Sequence, residues 1–109
     1  MKFKGTKEMY KFLAVTVLSF EYGALQESFL YETIAEDLLE RIKVKLAKDK
    51  PHYKLTFSRQ EVILLDNVLA MVEPSELFGL ELALLAAAKE IFNKEYLKIR
   101  HEQGRNKAS

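Results

Sequence analysis

The sequence predicts an all-α fold: a single-domain, four-helix bundle-like arrangement with a long C-terminal helix. Three observations carry this. Apolar residues recur at three- and four-residue intervals along most of the chain, the period of a helix with one buried face. Only four glycines and two prolines punctuate 109 residues, too few for the many turns of an all-β protein. The length is that of one domain, and neither a repeat nor a low-complexity tract divides it.

The first helix is expected over about residues 6–21. Thr6 suits an N-cap, with Glu8 near the positive helix start. Met9, Phe12, Leu13, Val17 and Phe20 follow at helical spacing. The β-branched run Val15-Thr16-Val17 favours a strand, but the longer window outweighs it. Gly23 is expected to end the helix in a left-handed turn.

The second helix is expected over about 25–48. Tyr31, Ile34, Ala35, Leu38, Ile42 and Leu46 form its apolar stripe, and Asp37 is spaced to pair with Arg41. Pro51 breaks the pattern. Residues 49–57 are expected as an extended loop, because Tyr53, Leu55 and Phe57 alternate with polar residues but no partner strand is evident.

The third helix, about 58–73, has the clearest start. Ser58-Arg59-Gln60-Glu61 has the spacing of a capping box, and Phe57 and Val62 can form a staple around it. The fourth is expected over about 75–101, with Leu77, Leu80, Leu84, Ala88, Ile91, Tyr96 and Ile99 in register. Residues 103–109 have the composition of a frayed tail.

Hydrophobic residues make up 49% of the chain and charged residues 30%, enough apolar material for a core without disulfide or metal. There is no cysteine, which excludes thiolate nucleophiles, disulfides and cysteine-ligated metals. The N-terminal residues lack the pattern of a secretory signal. The longest apolar run, Leu77–Ala88, is interrupted by Gly79 and Glu81 and is too short to span a bilayer. A cytoplasmic protein without membrane attachment is the expectation.

No enzyme chemistry is legible. His52 and His101 are the only histidines, and no Glu-x-x-His occurs, so a di-iron bundle site is not expected. Glu32, Glu36 and Glu40 stack on the face opposite the apolar stripe, whereas a general acid needs a desolvated pocket. The glycines are too scattered for a phosphate loop, and Ser28, Ser58 and Ser75 read as helix-start residues. Neither a cofactor nor a small-molecule ligand is expected.

Two functional readings remain. Helices one and four are each apolar around more than one face, more than a four-helix domain can bury. This predicts a protein–protein interaction or assembly domain that self-associates, most simply as a homodimer. The expected interface is Leu77, Leu80, Glu81, Leu84, Leu85 and Ala88, with Glu81 either at its solvent edge or buried and paired. The alternative is a small nucleic-acid-associated protein. Residues 41–59 carry seven bases and one acid, so Arg41, Lys45, Lys48, Lys50, Lys54 and Arg59 are candidate phosphate contacts, with Tyr53 and Phe57 interleaved. The net charge of only +1 weighs against this reading.

Overall fold

The computed structural model describes residues 1–24 and 28–108, with the side chains of Ala24 and of 104–108 left aside. Four helices and a small two-stranded sheet follow in the order β1 (Lys2–Gly5), α1 (Lys7–Ser19), α2 (Ser28–Leu46), β2 (Tyr53–Thr56), α3 (Arg59–Ala70) and α4 (Leu80–Ala108). Single 3-10 turns at Tyr22–Ala24 and Pro74–Glu76 join α1 to α2 and α3 to α4.

The fold is therefore mostly α, not all-α. The stretch expected as a loop contains β2, which pairs antiparallel with β1, Phe3 opposite Leu55 and Lys4 opposite Lys54. The alternation read in Tyr53–Phe57 was a strand signal whose partner lay in four N-terminal residues. Phe3, Gly5, Tyr53 and Leu55 face inward; Lys2, Lys4, Lys54 and Thr56 face outward. A Cβ at Gly5 would meet the Phe3 ring at 3.0 Å, so glycine lets that ring lie flat on its own strand.

Helix starts follow the capping chemistry closely. The Thr6 hydroxyl accepts the Met9 N–H at 3.2 Å. Ser58 and Glu61 form the full capping box: the Glu61 N–H donates to Ser58 Oγ, and the Ser58 N–H donates to Glu61 Oε1. The Val15-Thr16-Val17 run is helical, because Met9, Leu13 and Val17 reach the core at four-residue intervals and Thr16 returns its hydroxyl to the Phe12 carbonyl.

Helix ends depart from expectation. α1 stops at Ser19 through an extended Phe20, and Gly23 lies in the 3-10 turn, not at a left-handed stop. α2 is described from Ser28, and its expected first residues, 25–27, lie outside the described residues. α4 begins at Leu80, not Ser75: Pro74 opens a separate turn, and Gly79, at φ +55°, provides the left-handed step into the helix. α4 then runs through the stretch expected to fray, to Ala108. At 29 residues it is about 43 Å long, close to the 46 Å long dimension of the molecule.

The core is continuous from the sheet to the far end of the helices. Tyr10, Leu13, Leu38, Ile42, Leu64, Leu65, Leu85 and Phe92 are fully or almost fully buried. Phe92 of α4 makes edge-on contacts with Phe3 at 6.0 Å and with Phe57 at 5.3 Å between ring centres.

Tyr10 and Tyr22 complete it. The Tyr10 hydroxyl donates to the Phe3 carbonyl and that of Tyr22 to the Val17 carbonyl. Burial pushes both phenols up to about 12 from an ordinary 10. A raised folded-state value stabilises the fold fully below the unfolded value, and the benefit is lost as pH rises through the folded one. The melting temperature is thus expected to fall between pH 10 and 12, with less loss in Tyr22→Phe. Phenolate absorbance that completes near pH 10 while helicity persists would contradict this.

Candidate functional site

The helices run alternately up and down, which places chain segments far apart in sequence at the same end. At one end, Lys7 pairs with Asp49 at 3.5 Å and Arg59 with Glu102 at 3.2 Å, joining the starts of α1 and α3 to the ends of α2 and α4. At the other end, a groove brings together the second half of α1, the end of α3 and the start of α4. All 17 lysines and arginines lie in residues 1–11, 41–59 and 89–109, and none in 12–40 or 60–88. Folding stacks these blocks, leaving one end without a base and gathering bases toward the other.

The base-free end is apolar. Ten large apolar side chains are exposed among the described residues, and eight sit here: Val15 and Leu18 on α1, Phe29 and Leu30 on α2, Met71 after α3, and Phe78, Leu80 and Leu82 at the start of α4. Phe29 and Phe78 are each 82% exposed. The groove has a volume of about 410 Å³ and an apolar floor of Phe12, Val15, Phe20, Met71, Val72 and Leu77. Glu73, Glu76 and Glu81 stand along it.

The six residues expected as an interface do not form one surface. Leu80 and Glu81 are exposed, Leu77 and Leu84 are half-buried against the core, and Leu85 and Ala88 are inside it. α4 turns Leu85, Ala88 and Phe92 inward while Leu80, Ala83 and Ala87 face out. Glu81 thus takes the solvent-edge position of the two weighed for it. Phe29 and Phe78 were missed, because each lies at an element end, where periodicity assigns no face; Met71, expected on the apolar side of the third helix, falls just past the end of α3 and is exposed.

The six candidate phosphate contacts also divide. Arg41 is engaged: its guanidinium donates to both Glu61 carboxylate oxygens, at 2.6 and 2.7 Å, and to the Thr56 carbonyl. It does so in place of the expected pairing with Asp37. Arg59 is held by Glu102. Lys45, Lys48, Lys50 and Lys54 do come together, around two adjoining hollows of about 570 and 320 Å³ between α2 and β2. Lys2 joins them, and Lys4 lies across the ladder from Lys54. The alternating Lys2-Phe3-Lys4 was the signal for these two. Tyr53 and Phe57 are buried, at 3% and 2% exposure, so neither offers a stacking surface.

Among the described residues, no three potential ligands cluster at metal-binding distance. No helix of the described chain is long and apolar enough to cross a membrane. Comparison with protein-family models, with curated proteins and with solved structures found no match.

Proposed function

We propose that this protein is a non-enzymatic interaction module whose apolar end receives a basic, amphipathic helical segment of a partner protein. The observation that carries the reading is the gathering of eight of ten exposed large apolar side chains at one end. Apolar surface concentrated in this way marks an interaction site more often than scattered exposure does. The groove between α1, α3 and α4 suits a helix laid along it, with apolar anchors spaced three and four residues apart.

The acids choose the partner. Glu73, Glu76 and Glu81 edge the groove, Glu32 and Glu36 stand on α2 nearby, and no base offsets them. A two-fold homodimer through this end, the simplest form of self-association, brings like charges into register and costs affinity. A basic rim on a different chain complements them.

The test uses two synthetic amphipathic helices, one of leucine and lysine and one of leucine and glutamate, with amide shifts read by NMR. The lysine peptide is expected to shift Val15, Met71 and Leu77 at micromolar concentration, and the glutamate peptide to leave them unmoved. Glu73→Lys/Glu76→Lys/Glu81→Lys should reverse the preference. A preference unchanged by that reversal sinks the proposal. So does a salt-insensitive dimer in light scattering, which would put a second copy on this surface instead.

A further inference from the structure

We infer that the lysine face made by the β-ribbon and the end of α2 binds the phosphate backbone of double-stranded nucleic acid. This face lies away from the apolar end, and the inference does not depend on that end's partner.

Six lysines converge here from separate stretches of chain: Lys2 and Lys4 on β1, Lys45, Lys48 and Lys50 at and beyond the end of α2, and Lys54 on β2. Among the described residues none of the six pairs with an acid. Glu40 borders the face, and Asp49, between Lys48 and Lys50, lies 3.5 Å from Lys7. The negative C-terminal end of α2 accounts for Lys45 and Lys48. It does not account for Lys2, Lys4 and Lys54, which sit on strands.

Lys4 and Lys54 are the telling pair. They occupy directly opposed positions of the antiparallel ladder and share its outer face. Like charges so placed destabilise a ribbon. An anion lying over the ribbon turns the repulsion into attraction. Tyr53 adds order: its buried hydroxyl donates to the Lys48 carbonyl at 2.6 Å and accepts the Lys50 N–H at 3.1 Å, holding the turn that carries both lysines.

The class of ligand follows from what the face has and lacks. Its lysines spread over two hollows and the ribbon, wider than a single phosphate and suited to a polymer. Among the described residues no Phe or Tyr side chain is exposed beside these lysines, and His52 is a single small ring, so single strands find no run of stacking platforms. Of the neighbouring arginines, Arg41 is locked onto the buried Glu61 and Arg59 pairs with Glu102, so the unpaired cations of the face are lysines, not the residue best fitted to reading base edges. Among the described residues, Val44 is the only large apolar side chain exposed beside the lysines, too little to enter a bilayer interface. Binding is therefore carried by phosphate charge and is indifferent to sequence.

The experiment is fluorescence anisotropy with labelled duplexes of about 20 base pairs, DNA and RNA, titrated across a salt series. About five phosphate contacts predict that affinity falls some 10²- to 10³-fold between 50 and 200 mM salt. Lys48→Gln/Lys54→Gln should weaken binding at least about tenfold and flatten the logarithmic salt dependence by about 2. Arg59→Gln should change neither. Lys4→Thr should weaken binding several-fold while raising the melting temperature, a combination that a purely structural lysine would not produce. DNA or RNA binding with these features supports the inference, and the stronger of the two names the source. The inference is overturned by absence of duplex binding at 50 mM salt, by binding unchanged in the double variant, or by retention on phosphatidylserine vesicles without duplex binding.

Discussion

Phe92→Ala is expected to lower the unfolding free energy by about 4 kcal/mol, the largest effect of any single truncation in this protein. The ring is completely buried and stands edge-on to Phe3 of β1 and to Phe57 at the entry of α3. Its removal loses the transfer energy of the ring and leaves a cavity walled by two other rings, which cannot both close in without unseating the sheet. A domain of this size is stable by only about 5–15 kcal/mol, so the variant should sit near the edge of folding. Urea denaturation followed by helical circular dichroism is the measurement. Phe92→Leu keeps most of the volume and should recover at least half of the loss. A cost below about 1 kcal/mol for the alanine variant would mean that Phe92 does not hold sheet and helices together.

Glu61→Ala should cost about 3 kcal/mol. The Glu61 carboxylate has three attachments. It accepts the Ser58 N–H at the cap and two contacts from Arg41, while Arg41 also bonds the Thr56 carbonyl of β2. One side chain therefore ties α2, the end of β2 and the start of α3. Glu61 is 3% exposed, so truncation strands a guanidinium that had its charge answered inside the protein. The Arg41 side chain retains 36% exposure, and solvent tempers the loss, which sets the estimate at the low end for a broken buried pair. Glu61→Gln keeps the cap bond and should cost about half as much. Arg41→Ala/Glu61→Ala in a double-mutant cycle should show coupling of at least about 1 kcal/mol. Additive single effects would reduce Glu61 to a helix cap alone.

The helices were legible because their signals are local. Thr6 and the Ser58–Glu61 box declare two helix starts within four residues each, and the apolar stripes of α1 and α2 predict the buried faces. The sheet was not legible, because its evidence is split between Lys2–Gly5 and Tyr53–Thr56. A four-residue alternation has no meaning until a partner is found. Of the candidate surfaces, the lysine cluster was half visible. Lys45, Lys48, Lys50 and Lys54 lie near one another in sequence, whereas Lys2 and Lys4 join only through the ladder. Arg41 and Arg59 were indistinguishable from them by sequence, since the acids that occupy both lie 20 and 43 residues further on. The apolar end was visible as surplus hydrophobicity on helices one and four, but which residues of α4 face outward was not. Leu85 and Ala88 share a composition with Leu80 and Leu82, and only packing separates inside from outside.

The ladder joining β1 to β2 has a kinetic side. Its strands lie roughly 50 residues apart, with α1 and α2 between them, so closing it costs chain entropy that neighbouring helices do not incur. Such pairing is rewarded only after the intervening helices have packed, which places the ribbon late in assembly. The lysines of β1 therefore reach their places beside those of β2 and α2 only when α1 and α2 have packed. A partly folded chain carries the same charges without bringing them together.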